Sequence, residues 1–248
     1  MKISTNYKKI IGIIISILLI YLLFLFLYLT KNNSLAFPNP NNIIKEAGLL
    51  LIKKETYISI SLSILRLLLC LLISFVLGLV LASLSFFSEL IKNIINPYIL
   101  IFRSVPVVSL IILFIILFGN KEACLFITCL MLVPIFYENI YQSFLNIDPN
   151  IVRAYKIDSN FNLKILFKIY IPESIKDIKT SFIECVGLGF KVLVMSEYLS
   201  GKTNSLGYSI LEAYQNNIDM VYIYSWTLIL VILSVSITKL CNLIKNKS

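Results

Sequence analysis

Residues 148–179 read DPNIVRAYKIDSNFNLKILFKIYIPESIKDIK and form the one long polar interruption in the C-terminal half of a chain that otherwise reads as lipid-soluble helix. The stretch carries Arg153, Lys156, Lys164, Lys168, Lys176 and Lys179. Moving closely spaced cations across a bilayer is opposed by the positive-inside bias. A segment of this kind between two apolar runs is expected on the cytoplasmic side, where its task is to meet a cytoplasmic partner.

Within it, Asp148-Pro149-Asn150 reads as a turn, followed by a short helix over 151–157, a second turn at 158–160 and another helix over 162–171 ahead of Pro172. In the last of these Lys164 and Lys168 lie four apart on one face, while Leu163, Leu166, Phe167 and Tyr170 share much of the other. That is the pattern of an amphipathic helix lying along the membrane, and an ordinary interfacial helix reads the same way.

Outward from this segment the chain is strongly apolar. Hydrophobic residues make up 58% of its 248 positions and charged ones 14%, a balance no soluble domain of this size needs to fill its core. Uncharged runs from Ile10 to Leu29 and from Met220 to Thr238 are each of the length that crosses a hydrocarbon layer of about 30 Å as helix. Lys2, Lys8 and Lys9 precede the first run and Ser34, Leu35 and Ala36 loosely mimic a cleavage site. Its apolar core nevertheless exceeds the roughly 7–15 residues of a secretory signal, so a retained span is expected.

The expected fold class is an all-α integral membrane protein with six transmembrane helices, over 10–29, 57–87, 94–118, 123–141, 181–200 and 220–240. Residues 1–9 are then a cytoplasmic N-terminus, 57–240 a core of five helices, and 148–179 a cytoplasmic loop between the fourth and fifth spans. A short amphipathic helix is expected over 43–54, after an extended piece at 37–42 in which Pro38 and Pro40 disfavour helix. The third span holds Pro97, Arg103 and Pro106, which predicts a kink or break near 103–106. On this topology thirteen Lys or Arg lie inside, six outside and Arg66, Arg103 and Lys191 within spans, a bias that favours both termini in the cytoplasm.

The same spread accounts for the net charge of +9 without nucleic acid, since the cations form no single basic face with interleaved aromatics. The five cysteines have no CxxC spacing and imply neither a disulfide framework nor a metal site. There is no histidine, which removes the commonest general base and metal ligand. Gly201-Lys202-Thr203 spells the end of a phosphate-binding loop, but Ser196 stands where its first glycine must lie. No catalytic residue and no cofactor are expected in this chain.

Arg66, Arg103, Glu138, Glu184, Lys191 and Glu197 fall within spans, where each is costly in hydrocarbon and should face protein, water or the interface. A polar pathway accounts for them, and so does a structural pair near a span end, above all for Glu138, Arg66 and Glu197. Glu184 and Lys191 lie seven apart, two turns along one helical face and about 10 Å along the axis. This face, with Gly187 and Gly189 nearby, is expected to pack at the pathway or at a dimer contact, because small residues let helices approach. Arg103 and Pro106 at the break are candidates for the same pathway.

The arm at 148–179 resembles the coupling segment of permease subunits of ABC importers, in which an EAA-type motif runs glutamate, two alanines, a glycine, then a hydrophobic-proline pair. Arg153-Ala154-Tyr155, Ser159 and Ile171-Pro172 occupy those places, with arginine for the glutamate, tyrosine for the second alanine and serine for the glycine. Other segments are similar, in the same order, to the sulfonate, nitrate and taurine importer subfamily. They are Phe37-Pro38-Asn39-Pro40, Ser61-Leu62 with Arg66, Pro97 with Phe102-Arg103-Ser104-Val105-Pro106, and Glu197-Tyr198-Leu199 with Leu206-Gly207-Tyr208-Ser209-Ile210.

The resemblance implies a non-catalytic permease subunit that forms the pathway for a small solute, a sulfonate-, nitrate- or taurine-like anion or a vitamin precursor. It implies a homodimer in the lipid membrane, cytoplasmic ATPase subunits that bind ATP and magnesium, and an extracytoplasmic solute-binding protein. Arg153, Ala154, Tyr155, Lys156, Asp158, Ser159 and Phe161 would then meet the ATPase, as a short rod seated in a moving partner. Two other readings compete. A self-sufficient secondary transporter or channel predicts gradient-driven transport and internal inverted symmetry, which the sequence does not display. An intramembrane enzyme lacks histidine and paired aspartates.

Overall fold

In this computed structural model residues 3–31, 36–154, 165–215 and 219–247 are described, and every regular element among them is helical. The helices are α1 (Ile3–Lys31), α2 (Pro40–Leu50), α3 (Lys54–Phe87), α4 (Glu89–Ser104), α5 (Val107–Phe118), α6 (Asn120–Leu145), α7 (Pro149–Ala154), α8 (Ile175–Ser200), α9 (Leu206–Gln215) and α10 (Met220–Lys247). A wide turn, Leu166–Tyr170, runs into Ile171–Glu173 ahead of α8. In it the Ile171 amide reaches back five residues to the Leu166 carbonyl. Two compact units result, one of residues 1–57 with 209–231, the other of 58–208 with 232–248.

In the first unit α2 begins at Pro40, three residues before the expected start and with no extended piece at 40–42. Asn39 caps it, its side-chain oxygen accepting from the Asn41 amide at 2.9 Å, and Pro40 takes the first helical position, where a missing N–H costs nothing. Phe24 of α1 sets its ring edge-on to Phe37 at 6.3 Å and to Tyr224 at 5.2 Å. Ser225 donates to the Ile43 carbonyl at 2.9 Å.

In the second unit α6 and α8 pack along their lengths, with α5 against both. Ile111, Ala123, Ile127 and Val192 form a buried cluster there. Phe75, Phe136 and Phe182 join α3, α6 and α8 through ring contacts of 4.9–5.7 Å. α3 crosses close to α6 at Gly78, where a Cβ would stand 2.6 Å from Phe136 Cβ and 3.0 Å from the Tyr137 amide nitrogen.

The break expected in the third span is sharper than a kink, since α4 and α5 meet at 104°. Pro97 is accommodated inside α4, and the chain turns at Val105, whose ψ of 134° is the extended conformation that the following proline imposes. Gly119 alone, at φ 77°, links α5 to α6, a backbone angle that favours glycine.

Among the described residues, length and apolarity qualify four helices to cross a membrane, and five if α4 and α5 count as one broken span. The fifth expected span, α8, has ample length at 26 residues. It carries Lys176, Asp177, Lys179, Glu184, Lys191 and Glu197, too many charges for a helix surrounded by lipid. Such a helix requires protein or water around it, and α6 covers one of its sides.

The Gly78 crossing yields a stability test. Gly78→Ala overpacks α3 against α6 and should cost about 1–3 kcal/mol, read as a lowered thermal midpoint in detergent. Gly12→Ala, at a position where a Cβ meets nothing within 4 Å, should leave the midpoint unchanged.

Candidate functional site

Glu197 lies one turn from the C-terminus of α8 and is 0% exposed. Ser63 of α3 donates its hydroxyl to the carboxylate at 2.9 Å. Arg66, one turn further along the same face of α3, donates from Nη1 at 2.9 Å, and the Gly207 amide approaches the other oxygen at 3.4 Å. Ser63 in turn accepts from the Leu206 amide at 3.1 Å. The first turn of α9 thereby rests its free amides, the positive end of its dipole, on a buried anion.

Gly207 makes the contact possible. A Cβ there would stand 2.4 Å from both the Tyr198 amide nitrogen and the Val194 carbonyl. The link between α8 and α9 is equally specified. Gly201 ends α8 at φ 62°, Lys202 returns a hydrogen bond to the Glu197 carbonyl at 3.1 Å, and Ser205 caps α9 by accepting from the Tyr208 amide at 3.1 Å. Gly201-Lys202-Thr203 is therefore a helix stop, and Glu197 is a structural knot of three segments. Arg66 and Glu197 form the pair near a span end that the sequence left open.

Along α8 the remaining candidates separate. Glu184, Gly187 and Lys191 fall on one open stripe, Glu184 and Lys191 exposed and Gly187 bordered by open space, since a Cβ there would meet nothing within 4 Å. Gly189 instead faces inward, where a Cβ would meet Leu132 and Leu67 at 3.1 Å, so the two glycines serve opposite sides of the helix. Glu184 accepts from Asn139 of α6 at 3.0 Å. The neighbouring Glu138 accepts from Arg103 at the end of α4 at 2.6 Å, with both side chains about half exposed. Pro106 is exposed at the start of α5, and Lys191 pairs with no carboxylate among the described residues. The open side of this unit thus carries Arg103, Glu138, Asn139, Glu184 and Lys191, whereas Glu197 is enclosed. Among the described residues no cluster of three His, Cys, Asp or Glu side chains has metal-site geometry.

Of the polar arm at 148–179, α7 ends with Arg153 and Ala154, and Arg153 is exposed. Asp148 accepts from the Asn150 amide at 2.8 Å, so the expected turn is an Asx turn that opens the helix. Tyr155, Lys156, Asp158, Ser159 and Phe161 lie outside the described residues. Beyond them Leu166, Ile169 and Tyr170 are buried while Phe167 and Lys168 are exposed. Phe167 thus stands on the polar face, because the wide turn shifts its register relative to a regular helix.

Two participants escaped the sequence reading. Asn139 has no signal beyond its adjacency to Glu138. Ser63 is three residues before Arg66, a helical spacing that puts both on one face and that marks it once Glu197 is known to be the acceptor.

Comparison with known proteins follows the same lines. The family model described as "Binding-protein-dependent transport system inner membrane component" matches residues 74–244. The chain is 24% identical over 142 residues to the trimethylamine N-oxide transport system permease protein TmoV of Pelagibacter ubique (strain HTCC1062), covering 57% of this chain and 20% of that protein. It is 26% identical over 180 residues to the putative aliphatic sulfonates transport permease protein SsuC of Bacillus subtilis (strain 168), covering 72% and 64%. The chain therefore spans a fifth of the first relative and less than two thirds of the second. Its fold superposes on a chain of the inward-facing MetNI methionine ABC transporter with a TM-score of 0.68 at 16% identity, over 80% of this chain and 96% of that one. A bacterial ABC transporter involved in import of the acidic polysaccharide alginate gives 0.66 at 12%, over 100% and 99%.

The knot around Glu197 generates a second test. Glu197→Ala leaves a largely buried guanidinium and the α9 amides without their anion, and should cost about 3–5 kcal/mol in detergent unfolding. Pairing Glu197→Met with Arg66→Met should restore only part of that loss, because Ser63 and Gly207 still lack an acceptor. Gly207→Ala should be destabilising by itself through its clash with backbone.

Proposed function

Since the chain belongs to the family of binding-protein-dependent transport system inner membrane components, the permeases of ABC importers, we propose that it forms the translocation pathway of an ATP-driven importer and takes its energy from a separate ATPase. The observation that carries this reading is the two-sidedness of α8. Its inner face is packed on α6, and its outer face presents exposed Glu184 and Lys191 with open space at Gly187, where a Cβ would meet nothing within 4 Å. Charges in that position are tolerated beside water or a second protein surface. A second copy of the chain across this face encloses an aqueous route between the two, and Gly187 leaves it room to approach.

In this reading Arg103 and Pro106 at the α4–α5 break line the cytoplasmic half of the route, and Glu184 and Lys191 line its middle. Glu197 holds the outer end in shape. Arg153, Ala154, Tyr155, Lys156, Asp158, Ser159 and Phe161 meet the ATPase, which binds ATP and magnesium, while a solute-binding protein delivers cargo from outside. Both termini lie in the cytoplasm. The cargo is a small polar solute, a sulfonate-, nitrate- or taurine-like anion or a vitamin precursor. The names of the two relatives, one for aliphatic sulfonates and one for trimethylamine N-oxide, support that size and polarity.

Two measurements test this. The tagged chain, purified in mild detergent, should bring down an ATPase subunit that is lost when Ala154, Lys156 and Ser159 are replaced together; retention by the triple variant removes the docking role. In reconstituted vesicles Lys191→Met should lower uptake of the solute by about tenfold, equivalent to about 1.4 kcal/mol, while Lys202→Met, at the helix stop, leaves it near normal.

A further inference from the structure

Tyr170 closes the wide turn of the cytoplasmic arm and its side chain is buried. Its ring stands edge-on to Phe86 at 4.9 Å and to Phe87 at 5.6 Å, both at the end of α3, and to Phe144 near the end of α6 at 5.5 Å. Phe86 and Phe144 are themselves in contact at 5.7 Å. Four rings from three separate segments thus form one interlocked layer. Edge-to-face packing of this kind resists sliding more than aliphatic contact does, because ring quadrupoles fix the relative tilt.

On the other side of the layer lies α7. A cavity of about 330 Å³ separates the two, with Phe86, Phe144, Pro149, Val152, Arg153 and Tyr170 on its walls. The arm therefore meets this layer from both of its described ends, from α7 across the cavity and through Tyr170 within the layer. Ser143, next to Phe144, and Ser174, four residues after Tyr170, bury their hydroxyls without a partner among the described residues. Leaving such groups unpaired is unfavourable.

We propose that Tyr170 is a positioning residue that passes displacement of the cytoplasmic arm to α3 and α6. The proposal rests on the coupling reading of that arm and adds to it the path by which motion leaves the arm. A rigid ring wedged between two helix ends moves them as one body; a cavity-forming truncation lets the arm move while the helices stay.

The test uses the full chain with the ATPase that co-purifies with it, and a reporter thiol, Leu188→Cys, on the open side of α8. The rate of maleimide labelling is compared in ADP and after trapping with ATP and vanadate, and corrected by the same chain without the reporter. With Tyr170 present, trapping should change the rate by about fivefold, the lower end of ordinary coupling between sites. Tyr170→Ala should abolish the change while retaining the co-purified ATPase and its rate of hydrolysis, and Tyr170→Phe should retain the change, since the ring and not the hydroxyl makes the contacts.

An undiminished change in Tyr170→Ala overturns the proposal and leaves the coupling reading intact. Failure of any ATPase to co-purify with the unaltered chain removes the coupling reading and the proposal together. If Tyr170→Ala does not reach the membrane, Tyr170→Leu, which keeps apolar bulk without the ring, is judged by the same two rates.

Discussion

Lipid offers no hydrogen bonds and solvates no charge, so every ionised side chain carried into the bilayer must find protein or water. In the larger unit this constraint decides the arrangement. Glu197 is enclosed by Ser63, Arg66 and the amide of Gly207, whereas Glu184 and Lys191 remain on the open side of the same helix. One helix thus meets the requirement in two ways. The buried end is satisfied inside the chain and is fixed; the open stretch is left for something outside the chain to satisfy, and is where function is sought. A helix that buries one side on α6 and carries six charges over its length is poorly suited to lipid on its other side, which is why apolarity alone does not count α8 among the spans.

Much of this was legible in the residues. The apolar runs marked the long helices, and Pro106 after Arg103 marked the break between α4 and α5. The resemblance at Glu197 and at Leu206-Gly207 anticipated two segments that the fold brings into one knot. What the residues did not reveal was contact between distant positions. Ser63 and Glu197 are 134 positions apart, and local pattern does not choose between a buried pair and a snorkelling charge. Periodicity also placed Gly189 beside Gly187, but two residues turn a helix by about 200°, and the structure sets them on opposite sides. Phe167 was misplaced because a five-residue hydrogen-bonded turn interrupts the regular helical spacing on which the expectation relied.

The second unit-wide feature is the sequence of aromatic contacts from the middle of the helices to the ends that meet the polar arm. Phe75, Phe136 and Phe182 hold α3, α6 and α8 at mid-length, and Phe86, Phe144 and Tyr170 hold the arm to α3 and α6 at the base. Packed rings and the close crossing at Gly78 hold these helices together at close-packed density. The Glu197 knot fixes the opposite end. Between them, the open stripe of α8 is the part free to change what it faces.

The central claim is that this stripe is wet. With the protein in its native membrane, a charged, membrane-impermeant thiol reagent should modify Glu184→Cys and Lys191→Cys rapidly and Leu193→Cys, on the buried side of α8, not at all. Modification of the first two positions only by lipid-soluble reagents would place the stripe against hydrocarbon and contradict the account.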